Sequence, residues 1–435
     1  MALGISTNKQ YPQPNETYTI TITPDPTAGT FHHHVTLYES SDGGNTWTAV
    51  QTWQTVGSST PLQYSTSKSQ TGSYSYQAID YDLNNNVIFS SPVLVIYILE
   101  VSNIMIGWKA AVSIGRQANF NAPVKPQDFL FAESCGLEGR HTPIIVNPLM
   151  KKRWSTKSSI GRIEVGGDTR IIAVPMGGFT KLLYSMFTDL TTTGASAPYT
   201  HTFKLGDTLY PLSIEKVLNE YHLFSDLVVT RLVFAMDLDA LLMATATLTG
   251  GNYRINNASY ADASAGFPAI AFPIFYGGTA TLDGADLPAR TAELTIESTE
   301  VDRRVLTSRY SKSHLPGAFA VTGRLSLYYD SDAMIRRLFG ISGTSYPTTP
   351  ADTLVTGAII LKAICPGVTP TTYIQFKIPK ALFQAVGVPV GGPDVVMQEV
   401  TFRGMPNDNE TSPIEIEISS SEANSTITTA GTPIS

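Results

Sequence analysis

Lys152-Arg-Trp-Ser-Thr-Lys-Ser-Ser-Ile-Gly-Arg-Ile-Glu-Val-Gly-Gly167 returns 156 positions later as Ser308-Arg-Tyr-Ser-Lys-Ser-His-Leu-Pro-Gly-Ala-Phe-Ala-Val-Thr-Gly323. Without a gap, Arg153 aligns with Arg309, Trp154 with Tyr310, Ser155 with Ser311, Gly161 with Gly317, Val165 with Val321 and Gly167 with Gly323. Inside each Gly-to-Gly window the apolar residues alternate (Ile163 and Val165; Phe319 and Val321), which is the period of a half-buried strand. A single domain seldom repeats such a pattern, so the sequence reads as two copies of one β-domain. Duplication of a whole domain points to a ring or array rather than to one active site.

The flanking residues extend the parallel. In the first copy a strand through Ile171 and Ile172 leads to Phe179, Leu182, Leu183, Met186 and Phe187, spaced as one face of an amphipathic helix. In the second, the strand from Arg324 to Tyr329 is followed by Asp330 or Ser331 as N-cap. The helix then carries Met334, Ile335, Leu338 and Phe339, with Gly340 as its stop. Both apolar faces are expected in the core, because burying each large side chain is worth about 1.5–3 kcal/mol. Further strands follow each helix, and residues 250–275, with Gly250-Gly251, read as the connection between copies.

Residues 15–98 have a different character. Tyr18-Thr-Ile-Thr-Ile22, His34 to Tyr38, Trp47 to Trp53, Gly72 to Ile79 and Val93 to Leu99 read as short strands separated by Gly/Asn turns. That spacing argues for a sandwich of about seven strands. Gly72-Ser-Tyr-Ser-Tyr-Gln-Ala78 resembles a strand of immunoglobulin-like and fibronectin type III modules, the latter fitting better without a Cys pair. The fold class is therefore mainly β, a sandwich module followed by two tandem β-domains each flanked by a helix. The expected domains are 1–100, 101–255, 256–420 and a flexible tail 421–435.

Composition narrows the function. Of 435 residues, 42% are hydrophobic and 15% charged, with 34 Gly and 27 Pro, which favours strands and turns over long helices. The net charge of −7 argues against tight nucleic-acid binding. Residues 1–100 contain no arginine. Two cysteines, Cys135 and Cys365, make no disulfide framework and suit a reducing compartment. Neither a signal peptide nor a membrane-length apolar run is visible, so a protein made in the cytosol is expected, with no membrane insertion.

Residues 101–435 resemble the tail tube proteins of long-tailed bacteriophages (siphoviruses), in their duplicated form. The resemblance rests on Tyr199-Thr-His-Thr-Phe203, Gly178-Phe-Thr-Lys-Leu-Leu-Tyr184 and Thr279-Ala-Thr-Leu-Asp-Gly284 followed by Ala292-Glu-Leu-Thr-Ile296. Its strongest piece runs from Ser308-Arg-Tyr310 through Pro316-Gly317 to Val321-Thr-Gly-Arg-Leu-Ser-Leu-Tyr328. Residues 1–100 depart from it, as many relatives lack such a module. The resemblance implies a structural virion subunit and not an enzyme, each copy a β-sandwich or half-barrel. Two copies per chain would let three chains form a pseudo-hexameric ring, and rings would stack around a channel that carries DNA during ejection. The implied partners are further copies of the chain, tape measure protein and DNA in the lumen, and tail tip and terminator proteins. Weak cell-surface glycan contact is the reading for residues 1–100.

Lys151, Lys152, Arg153 and Trp154, with Arg303, Arg304, Arg309 and Tyr310, are the expected inter-subunit or inter-ring contacts. In the family this loop is an arm reaching the adjacent ring, and an Arg beside an aromatic suits an interface anchor. A solvated loop and a DNA contact are the competing readings, the latter weakened by interrupting Ser and Thr. Ser40-Ser-Asp-Gly-Gly-Asn-Thr-Trp47 fits the Asp-box pattern of propeller enzymes, where it is a structural hairpin, and one copy makes no propeller. His32-His-His34 cannot converge on one ion, since successive strand residues face opposite ways. No metal or cofactor site and no catalytic motif stands out. A surface adhesin or carbohydrate-binding protein, and a glycan hydrolase using scattered acids, are the rival functions.

Overall fold

The computed structural model describes the chain except residues 1–2, 10–15, 27, 43, 56, 70–71, 99–108, 147–153, 155–156, 342, 344–348, 350–351, 353, 369–370, 391–394, 409–411 and 435. It divides into two compact units, Met1–Ile104 and Met105–Ser435.

In the first unit, Gly4–Thr7, Tyr18–Thr23 and Leu62–Thr66 form one antiparallel sheet. A second sheet pairs Thr48–Gln54 with His34–Ser40 and the latter with Gly72–Tyr81, which also takes Val87–Ser90 and Leu94–Ile98. Alternation decides which side chains go inward. Tyr18, Ile20 and Ile22 from one sheet meet Val35, Leu37, Tyr76 and Ala78 from the other. The hydroxyls of Tyr18 and Tyr76 share a hydrogen bond of 2.8 Å inside this core, satisfying both polar tips where water is absent.

The second unit is built on a continuous antiparallel sheet. Its ladders run in the order Glu138–Val146, Lys157–Ile172, Met243–Gly250, Tyr221–Asp237, Ala289–Arg303, Ser313–Tyr328, Met397–Met405 and Tyr373–Gly387. Two of these strands are long and change partners halfway. Tyr221–Asp237 first pairs with Leu212–Val217 and Asn252–Asn256, then with Met243–Gly250 and Ala289–Arg303. Tyr373–Gly387 behaves alike, with Thr356–Ile364 and Glu415–Ser420 before Met397–Met405. A bulge marks each switch, between Val229 and Arg231 and between Phe383 and Ala385, and bulges turn a strand from one sheet toward another.

The first helix, α1 (Gly178–Phe187), stands where the spacing predicts it, but it is buried on every side rather than on one face. The reason lies far along the chain. Its outer side is covered by the C-terminal segment, where α3 (Asn424–Thr428) buries Ile427 and Glu422 reaches the start of α1. Residues 421–434, expected as a flexible tail, are instead tied down: Gly431, Thr432 and Ile434 bond through their backbones to Arg116, Lys125 and Pro123. Polar composition suggested fraying, whereas backbone hydrogen bonding holds the segment. The second helix, α2 (Ala333–Leu338), buries only Met334; its cap is Asp332, and Leu338 is exposed.

Candidate assembly surface

One set of alternate residues on the continuous sheet forms the core: Val165, Leu232, Phe234, Leu294, Ile296, Val321, Leu325, Val400 and Phe402. The other set faces solvent and is rich in charge. Four of its arginines are each held by a carboxylate, Arg162 by Glu164 (2.7 Å), Arg170 by Glu133 (3.1 Å), Arg231 by Glu297 (2.9 Å) and Arg324 by Glu399. Exposed pairs of this kind add little to stability, so their consequence is electrostatic: these four cations are already met by carboxylates, while Arg403 on the same face stands exposed. Asp168 is likewise engaged, accepting from the Thr247 hydroxyl at 2.7 Å.

Two hairpins leave this sheet. In the first, Glu138–Val146 against Lys157–Ile172, a bulge lies between Thr142 and Ile144; in the second, Ala289–Arg303 against Ser313–Tyr328, a bulge lies between Ser298 and Glu300. The repeated glycines sit opposite these bulges. A Cβ on Gly161 would stand 1.7 Å from the Thr142 carbonyl oxygen, and one on Gly317 would stand 2.6 Å from that of Thr299. Both hairpins expose large apolar side chains, Ile144, Ile145 and Ile160 on one and Val301, Leu306 and Leu315 on the other.

The anchor residues expected from sequence divide into two groups. Arg304 and Arg309 lie against the first hairpin: Arg304 donates to the Ile163 carbonyl at 3.3 Å, and Arg309 donates through Nε to the Gly161 carbonyl at 2.9 Å. Arg309 also reaches His141 Nδ1 at 3.2 Å, and its own carbonyl accepts from the Ile163 amide. Arg304 is paired in addition with Asp302. Arg303 ends its strand opposite Ser313, exposed, and Trp154 and Tyr310 are exposed too. Lys151, Lys152 and Arg153 lie outside the described residues.

Sequence reasoning missed the groups that tie the C-terminus to α1. Glu422 accepts from the Thr180 hydroxyl (2.8 Å) and the Gly177 amide (3.1 Å); burial pushes its carboxyl up to about 7 despite these bonds. His201 donates to the Glu422 carbonyl at 2.8 Å, and burial lowers its pKa. Lys181, buried within α1, pairs with Asp128 and donates to Gln127 at 3.0 Å. The Glu422 contacts bring together residues more than two hundred positions apart and those of Lys181 residues more than fifty apart, and no local spacing signals them.

In the first unit the Ser40–Trp47 segment is a turn organised by Asp42, which accepts from the amides of Asn45 (3.0 Å) and Thr46 (2.9 Å) and from both hydroxyls nearby. These bonds, the Ser40 hydroxyl first, hold the Asp42 carboxyl well below the usual range. His32 bonds Asp80 at 2.9 Å, while His34 stacks on Tyr81. Among the described residues, no three His, Cys, Asp or Glu side chains stand close enough to hold a metal ion, and no helix is long and apolar enough to cross a membrane.

No curated protein matches the chain. A family model described as phage tail tube protein matches residues 107–404, which takes in the continuous sheet, both hairpins and α1. The chain belongs to the phage tail tube protein family, whose members are structural virion components that self-assemble into the tail tube.

Proposed function

We propose that residues 101–255 and 256–420 are two copies of one tube domain and that three chains close a pseudo-hexameric ring, rings stacking into a tube that conducts DNA. The observation that carries this reading is the register of two ladders. Val165 to Ile172 pair with Gly250 to Met243, and Val321 to Tyr328 pair with Gly404 to Met397, position for position along the repeated strand. The copies are joined edge to edge by the ladder of Arg231–Asp237 with Glu297–Thr291. Repeating that junction between chains would leave no sheet edge open, which is how rings of strands avoid uncontrolled association.

In this reading the charge-paired face lines the channel. DNA binding draws on cations free to displace counterions, and arginines already held by carboxylates offer little of that. The hairpins, with their exposed apolar residues, would meet the next ring, and Lys151, Lys152, Arg153, Trp154, Arg303, Arg304, Arg309 and Tyr310 would be the contact residues. Tape measure protein would occupy the lumen before DNA, and tail tip and terminator proteins would cap the two ends. Residues 1–100 would be an immunoglobulin-like or fibronectin type III-like decoration, with weak glycan contact as its role. Negative-stain electron microscopy of the purified chain tests the proposal: hollow tubes with pseudo-sixfold rings of three chains are expected, and persistent monomers, or rings of six chains, would overturn it.

A further inference from the structure

The junction between the two halves of the second unit has a counterpart with an empty side. After its bulge, Tyr221–Asp237 presents Leu232, Phe234 and Met236 to the core at alternate positions, and Met236 is 3% exposed. The strand Tyr373–Gly387 carries the same bulge, with Ala385 facing Thr401 as Arg231 faces Thr247. Counting on from there, Val386, Val388 and Val390 take the places of Leu232, Phe234 and Met236. Yet Val390 is 73% exposed. The apolar alternation is present, and among the described residues nothing covers its end.

The matching edge lies in the first hairpin. In the observed junction Met236 faces Ala292 and Leu232 faces Ile296. Ala292 and Ile296 pair in turn with Leu325 and Val321, as Cys135 and Gly139 pair with Thr169 and Val165. The repeat makes Thr169 the counterpart of Leu325 and Val165 that of Val321, so Cys135 corresponds to Ala292 and Gly139 to Ile296. Among the described residues, Ala132–Cys135 and Glu138–Val146 pair only with Lys157–Ile172, so their outer edge has no strand partner; the Lys216 ammonium caps it at the Leu137 carbonyl (2.8 Å), a bond that an incoming strand would have to replace. Beside Cys135 opens a hollow of about 430 Å³, lined by Val112, Leu130, Ala132, Ile172 and Phe267. The corresponding hollow of the other half, lined in part by Met236, measures about 190 Å³.

We infer that residues 386–390 form an inter-chain strand that pairs with the 135–140 edge of a second copy of this chain, Val386 opposite Gly139 and Val390 opposite Cys135, with Val390 seated in the hollow. This rests on the ring reading above and deepens it, giving the ring a register and a direction. The junction is head-to-tail, so each chain offers one strand and accepts one, and three chains close. Val390 acts as the knob whose intramolecular equivalent is Met236.

The native thiol of Cys135 makes the register testable in the full-length chain. Directly opposed residues of an antiparallel ladder have Cα atoms about 4.5–5.5 Å apart, within disulfide reach. V390C, assembled and treated with diamide, is expected to give covalent dimers and trimers on non-reducing gels. Adding C135S should abolish them; the remaining thiol, Cys365, is buried. Tubes that form in the microscope without crosslinks, or crosslinks that survive C135S, would overturn the register while leaving the ring reading intact. Failure of the unsubstituted chain to form rings would overturn both. Should V390C itself not assemble, G387C combined with E138C in a C135S chain probes the same register, and absence of its crosslink in assembled tubes is the overturning result.

Discussion

Arg309 donates through Nε to the Gly161 carbonyl at 2.9 Å, so the arginine of the later repeat segment holds the glycine of the earlier one. Two residues that recur in the two similar sequence segments thus meet across those segments rather than within one. Arg309 also touches His141, and its carbonyl receives the Ile163 amide, which makes the loop an added rung on the first hairpin.

Arg309→Ala is expected to cost about 1 kcal/mol in urea unfolding, the size of one or two partly exposed hydrogen bonds. Arg309→Lys should recover little of this, since an ammonium lacks the planar fork that reaches two acceptors at once. Full recovery by lysine would show that charge alone matters there.

Gly161→Ala and Gly317→Ala should each destabilise the second unit by about 1–3 kcal/mol, because the new methyl meets a backbone carbonyl that cannot swing aside. Gly161→Ala is expected to be the worse of the two, with its contact at 1.7 Å against 2.6 Å. Thermal melting of the two variants side by side checks both the cost and the order.

Glu422 predicts a falling stability with rising pH. Burial raises its folded pKa to about 7 from an ordinary value of 4.5, so between these values the folded state binds more protons than the unfolded state. Its contribution is fully present below about pH 4.5 and is lost as pH rises through 7, a change on the order of 3 kcal/mol. Glu422→Gln keeps an acceptor for Gly177 and Thr180 but removes the titration, so its melts at pH 5 and pH 8 should differ less than those of the native chain. Equal pH dependence in the two proteins would locate the effect elsewhere.

Removing residues 1–104 should leave the second unit folded and able to form tubes, since each unit has its own core. A truncated chain that keeps its melting transition but no longer assembles would give the first unit a part in the tube that the present reading denies it.

Much of the site was legible before any coordinates. The alternation around Val165 and Val321 located the two central strands, Lys157–Ile172 and Ser313–Tyr328, because a period of two survives whatever the strand packs against. The spacing of Phe179, Leu182, Leu183, Met186 and Phe187 placed α1 through the helical period of 3.6. What spacing could not convey is how much of a helix is covered: Thr180, Lys181 and Ser185 are buried because the C-terminal segment and Asp128 arrive from distant parts of the chain. The same long-range contacts turned an expected flexible tail into a packed one.

The sequence by itself determined the mainly β character and the positions of the central strands and of α1, since these follow from local periodicity. Only the tertiary structure decided which strand lies beside which, that Arg309 bonds Gly161, and that Met236 is buried while Val390 is bare. Pairing between strands is set by backbone hydrogen bonds and side-chain fit between residues far apart in the chain. That information resides in their meeting and in no single stretch of sequence.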